Sequence, residues 1–191
     1  MNLATKITIF RIFLVPLFLI FILIESFQTR VLAFLIFILG GVTDTIDGII
    51  ARKQNTVTKV GSSIDPLADK LLITTALISF LGFQELKIPT WTVIVIVIRD
   101  YLITWMRSLE YNFSMPADKT AKIKTFLQNI VVICIMVILI FKKQIIKIDL
   151  DKYIINFFPR FAMILVAIFT LVSGIVYIIK YRELIIRQFE K

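Results

Sequence analysis

The stretch from residue 161 to residue 179 runs for nineteen positions without a charge, and no other feature narrows the fold as far. As a helix rising ~1.5 Å per residue it nearly covers the ~30 Å hydrocarbon core of a bilayer. The rest of the chain reads alike. Of its 191 residues 59% are hydrophobic and 18% charged, and mean hydropathy is +0.92. Soluble domains sit near ~45–50% apolar and ~25% charged. The class is membrane protein.

Six hydrophobic segments can be drawn, at 7–25, 31–52, 65–84, 89–109, 119–141 and 159–180, punctuated by charge and proline. Several carry internal charges, which suit the wall of a shared polar cavity better than a lipid-facing surface. No repeat or low-complexity linker divides them. The expected architecture is all-α: one polytopic domain over 1–191, with six transmembrane helices around a cytoplasm-facing polar cavity. The first apolar run ends in Glu25-Ser26-Phe27-Gln28 with no small-residue cleavage site after it, so it reads as a retained span.

Orientation follows from the basic residues. With both termini cytoplasmic, fifteen of the 22 Lys and Arg residues fall on the cytoplasmic side and seven opposite, five of them in the 142–160 loop. The net charge of +9 is then explained by anionic lipid beside the helix ends, and no nucleic-acid partner is expected. The absence of histidine excludes His-based metal sites, His general bases and Ser-His-Asp triads within this chain. Cys134, the single cysteine, lies in an apolar run and excludes a disulfide framework.

The chemistry gathers between segments two and three. There the chain reads Asp44-Thr-Ile-Asp47-Gly48-Ile-Ile-Ala51-Arg52, eight residues, then Gly61-Ser-Ser-Ile-Asp65-Pro-Leu-Ala-Asp69. Asp44 and Asp47 are spaced i,i+3 and Asp65 and Asp69 i,i+4, so each pair shares one helical face. Pro66 suits the first turn of the third helix, and residues 53–64 with Gly61, Ser62 and Ser63 suit an antiparallel return. Four carboxylates gathered at a membrane interface repel one another. Protonation or lysine partners would relieve that; so would two divalent cations, and oxygen ligands suit hard ions such as Mg2+ or Mn2+. Gly48 and Ala51 continue the Asp44 face without bulk. Helix packing explains them alone. Beside four aspartates, a ligand lying on that face with its phosphate on Arg52 is the better account.

The run D-x2-D-G-x2-A-R-x8-G-x3-D-x3-D, present without a substitution, resembles the signature of the CDP-alcohol phosphatidyltransferases. The resemblance implies a six-helix membrane fold, a homodimer and an active site open to the cytoplasm. It implies two metal ions held by Asp44, Asp47, Asp65 and Asp69, with Asp69 also the general base. It places Asp44, Asp47, Gly48, Ala51, Arg52 and Gly61 at the CDP moiety. Further segments are similar to the bacterial branch that uses glycerol 3-phosphate as acceptor: Asn2 to Arg11, Asp65-Pro66-Leu67-Ala68-Asp69-Lys70-Leu71, Arg99-Asp100-Tyr101 with Arg107, Ala121-Lys122-Ile123-Lys124-Thr125, and Ser173-Gly174 with Tyr177. Ala4, Thr5, Trp105 and Ala121 depart from that branch's pattern.

A phosphorylated acceptor needs cations. Arg99, Arg107, Lys122 and Lys124, at the cytoplasmic ends of segments four and five, either form its phosphate pocket or are ordinary positive-inside decoration. The resemblance thus implies transfer of a phosphatidyl group from CDP-diacylglycerol to glycerol 3-phosphate, and the small size and absence of a transit peptide favour a bacterial inner membrane. Serine, an inositol phosphate or phosphatidylglycerol are the alternative acceptors. A divalent-cation transporter is the alternative of another class, disfavoured because the acids cluster at one end of their segments and no repeat is visible.

Overall fold

Backbone polar groups in lipid find partners only within their own segment or a closed barrel, so uncharged runs of this length become helices. The computed structural model describes the backbone of residues 3–54, 59–109, 119–147 and 152–189, and the side chains of 9–43, 70–106, 123–147 and 153–182. Among the described residues all regular structure is helical. The long helices are α1 (Leu3–Leu23), α2 (Phe27–Gln54), α3 (Lys59–Phe80), α4 (Thr90–Leu109) and α5 (Lys119–Ile140). After them come the short α6 (Lys142–Lys147), a π-helical turn (Lys152–Phe157) and α7 (Phe158–Phe189). A 3-10 turn (Gln84–Leu86) joins α3 to α4.

Each of the six hydrophobic segments has most of its length on one long helix, the third running past Phe80 into the 3-10 turn. Two stretches, Ile123–Ile140 and Tyr153–Arg182, are long and apolar enough to cross a bilayer, and shorter apolar helical runs cover Ile9–Leu23, Phe27–Thr43 and Lys70–Leu81. Large apolar side chains face outward along these helices, among them Phe13, Phe126, Leu165 and Ile179. Such an outer surface suits lipid. The chain has the architecture of a membrane protein.

Two sequence expectations are corrected. The third helix begins at Lys59, not near Asp65, so Pro66 lies well inside α3 and not in its first turn. The Gly61-Ser62-Ser63 run is turn-like only by propensity, a weak preference that helical context overrides. The connection shrinks to 55–58, which lie outside the described residues. The 142–160 loop, in turn, holds α6 and the π-helical turn, because Ile155 is buried in the main core and holds that segment against the bundle.

Helix packing in a membrane relies on close contact, since lipid tails are as apolar as Leu. α1 packs on both α2 and α3, α4 on α7, and α5 on α2 and α7. Alanines at 33, 76 and 167 are fully buried and let backbones approach, while Phe18 and Phe37 meet with ring centroids 6.1 Å apart. At Gly40 an added Cβ would stand 2.3 Å from Cδ2 of the buried Leu72, so α2 passes close over that side chain.

The end of the bundle near Glu25, Phe83 and Phe141 is tied by charge. Buried Arg30 donates from Nη1 to the Leu139 carbonyl at 2.8 Å, satisfying one of the orphan carbonyls at the end of α5. Its guanidinium also stands 3.6 Å from Glu25 and 5.6 Å from the Phe83 ring centroid. Glu85 pairs with Lys142 across the gap between the α3–α4 connection and α6. Partial burial alone would raise the Glu85 carboxyl, but the hydrogen bond and charge of Lys142, aided by Arg30, hold it below the ordinary carboxylate value. A depressed folded-state value stabilises the fold above the unfolded value and loses that contribution as pH falls through the folded one. Glu85→Gln is therefore expected to cost about 0.5–1 kcal/mol at neutral pH. In thermal unfolding, the gap from wild type should vanish in acid below the ordinary value of ~4.3.

Candidate active site

The helix bounds set the aspartates in register. Asp44 lies ten residues before the end of α2 at Gln54 and Asp47 seven; Asp65 lies six residues after the start of α3 at Lys59 and Asp69 ten. At ~1.5 Å per residue, Asp44 and Asp69 each stand ~15 Å along their helices from the connection, and Asp47 and Asp65 ~9–11 Å. The two acidic pairs are matched in depth on consecutive, contacting helices. Hard oxygen donors at matched depth fit a pair of divalent cations. Beyond these backbone places, Asp44, Asp47, Gly48, Ala51, Arg52, Gly61, Asp65, Asp69, Arg107 and Lys122 lie outside the residues whose side chains are described.

Next to the acidic pairs is a cavity of about 500 Å3. Gly40, Gly41 and Val42, just before Asp44, form part of its wall, as does Lys70, which follows Asp69. Its other polar walls are Arg11 on α1, Asp100 on α4, and Thr125, Gln128 and Asn129 on α5.

Asp100 is where the helices are tied together. Its carboxylate takes an ion pair from Lys124, whose side chain is 2% exposed, and a second from Arg99 at 3.3 Å. Its backbone carbonyl accepts from Lys70 Nζ at 2.9 Å. Arg99 reaches on to Ser173 Oγ at 3.1 Å, and Ser173 donates to the Thr170 carbonyl at 3.0 Å. Residues of α3, α4, α5 and α7 are thus linked around Asp100, through its carboxylate, its backbone carbonyl and Arg99. Two cations share the carboxylate and a third sits on the same residue's backbone carbonyl, a local excess of positive charge that suits phosphate oxygens. Of the four residues expected at an acceptor phosphate, the structure brings Arg99 and Lys124 together.

The stem of Arg99 lies on Gly174. An added Cβ there would be 3.1 Å from Arg99 Cγ and 3.6 Å from Nε, tighter than ordinary contact. Asp100 and Ser173 hold the guanidinium, so the stem has little room to give. Gly174→Ala is expected to lower stability by about 1–3 kcal/mol, read as a lower unfolding temperature in detergent.

Motif reading includes Thr125 only as the end of the Ala121–Thr125 segment and passes over Gln128 and Asn129. Their signal is periodic: they follow Lys124 at positions that share one helical face within an otherwise apolar run. Lys70 and Arg11 are visible in the sequence only as motif members and as basic decoration.

A family model described as CDP-alcohol phosphatidyltransferase matches residues 1–181. The chain belongs to this family. Over 197 aligned residues it is 36% identical to the CDP-diacylglycerol–glycerol-3-phosphate 3-phosphatidyltransferase of Bacillus subtilis, covering 95% of this chain and 96% of that one. It is 38% identical over 130 residues to the protein of the same name from Rickettsia felis, covering 66% of this chain and 70% of the relative. A probable phosphatidylglycerophosphate synthase of Mycobacterium tuberculosis is 34% identical over 135 residues, 69% of this chain and 64% of the relative.

Proposed function

We propose that this chain transfers the phosphatidyl group of CDP-diacylglycerol to sn-glycerol 3-phosphate, giving phosphatidylglycerophosphate and CMP in phospholipid synthesis. The observation that carries the reading is the pair of depth-matched acidic helices beside an electropositive cavity, in a family whose members transfer this group. The names of the most similar relatives support the choice of acceptor.

In the proposed mechanism Asp44, Asp47, Gly48, Ala51, Arg52 and Gly61 hold the CDP moiety, with the acyl chains left in lipid. Asp69 takes the proton from the 1-hydroxyl of glycerol 3-phosphate. That oxygen forms a bond to the phosphorus bearing diacylglycerol, the bond from that phosphorus to the bridging oxygen breaks, and CMP leaves with the electron pair. Arg99, Arg107, Lys122 and Lys124 hold the acceptor phosphate. Two Mg2+ or Mn2+ ions bound by Asp44, Asp47, Asp65 and Asp69 would neutralise charge on the pyrophosphate and the leaving group.

The same reading takes 1–191 as one domain with six spans in a bacterial inner membrane, its cavity facing the cytoplasm, and acting as a homodimer. The test is CMP release by the purified protein in detergent with CDP-diacylglycerol and Mn2+, offered glycerol 3-phosphate, serine or inositol phosphate separately. Release with glycerol 3-phosphate alone supports the proposal. Release with a different acceptor keeps the chemistry and overturns the acceptor. No release with any, alongside Mn2+ uptake into proteoliposomes, would favour transport.

A further inference from the structure

We propose that Gln128 recognises the acceptor through the hydroxyl next to the one that reacts; the assignment rests on the acceptor reading above. Gln128 sits on α5, is 2% exposed, and lines the cavity beside the acidic helices. Its Oε1 has no hydrogen-bond partner among the described residues. A buried amide oxygen left unpaired in an apolar interior is costly, and a donor entering the cavity would complete it. The terminal amide torsion is soft, so the oxygen can turn toward a donor brought into the cavity.

The surroundings select the donor. Gln128 stands one helical turn from Lys124, and Lys70 and Arg11 share the same cavity. The cavity's one described carboxylate, Asp100, is already paired with Lys124 and Arg99, so an ammonium group entering there, as on serine, meets the like charges of Lys70 and Arg11. A neutral hydroxyl does not. The hydroxyl that reacts must yield its proton to Asp69, the chain neighbour of Lys70, and so cannot keep donating to Gln128. In glycerol 3-phosphate the remaining hydroxyl is at carbon 2. Thr125 and Asn129 line the same cavity and offer further polar atoms to that hydroxyl's oxygen. The basic residues would then hold the phosphate, and Gln128 would read the carbon skeleton.

The experiment compares sn-glycerol 3-phosphate with 3-hydroxypropyl phosphate, which lacks only the 2-hydroxyl. CMP release is followed with wild type, Gln128→Leu and Gln128→Met, the second variant being present in case the branched side chain packs badly. Wild type is expected to favour glycerol 3-phosphate by about tenfold in kcat/KM, since the deoxy acceptor leaves a buried oxygen unpaired. Both variants are expected to bring that ratio near one by losing efficiency on glycerol 3-phosphate alone, with KM for CDP-diacylglycerol unchanged. A merely structural role would lower both acceptors together and leave the ratio in place. Equal use of the two acceptors by wild type, or a preference that persists in the variants, overturns this assignment alone. Wild type inactive with both overturns the acceptor reading and this assignment with it.

Discussion

Asp69→Asn is expected to leave a folded chain whose CMP release falls by at least about a hundredfold, the lower end of what a positioned general base contributes. The substitution keeps shape and removes one charge and the basicity. The amide oxygen of Asn can still face a cation, so metal binding should weaken and not vanish. Stability provides the second readout. Four carboxylates matched in depth on α2 and α3 repel when no cation lies between them. Removing one charge should therefore leave the unfolding temperature in metal-free buffer unchanged or raised, while reducing the increase that Mn2+ brings by preferential binding to the folded state. Asp44→Asn should show the same loss of metal stabilisation. A protein that keeps wild-type turnover with Asn at position 69 would remove that residue from the base role.

The helices were legible because lipid leaves an uncharged run few choices. The segment at 159–180 and the one at 119–141 lie on α7 and α5 for that reason. Where local composition is ambiguous the sequence misleads: Gly61 to Ser63 has the propensity of a turn and belongs to α3, and the basic 142–160 stretch conceals two short helical turns. The acidic pairs stand out in the sequence because their spacing and the helical period coincide. The network around Asp100 does not. Arg99-Asp100, Lys124 and Ser173-Gly174 read as separate motif fragments, yet Lys124 meets Asp100 across 24 positions and Arg99 meets Ser173 across 74. Pairing at that range leaves no periodic trace. In the structure the fragments explain one another: Gly174 makes room for the arginine that Asp100 and Ser173 hold.

Asp100→Leu should be among the most damaging substitutions outside the acidic pairs. The change leaves Lys124, nearly sealed from the surroundings, as a charge without its carboxylate, and releases Arg99 from its hold on Asp100 while the one on Ser173 stays. Breaking a buried pair by removing one partner costs about 3–5 kcal/mol, mostly the penalty of the stranded charge. Lys70 keeps its backbone acceptor at position 100, so the loss should not extend to that contact. The decisive comparison is with Asp100→Leu/Lys124→Met. With both charges gone an apolar pair fills the space, and replacement of a buried ion pair by apolar residues is often neutral for stability. The double variant should therefore unfold well above the single one, recovering most of the loss. Activity should not follow stability. If Arg99 and Lys124 hold the acceptor phosphate, the refolded double variant still lacks one cation and the carboxylate that orients the other, and KM for glycerol 3-phosphate stays high while KM for CDP-diacylglycerol does not. If instead the network only braces α3, α4, α5 and α7, restoring stability restores turnover, and the phosphate role passes to residues nearer the helix ends.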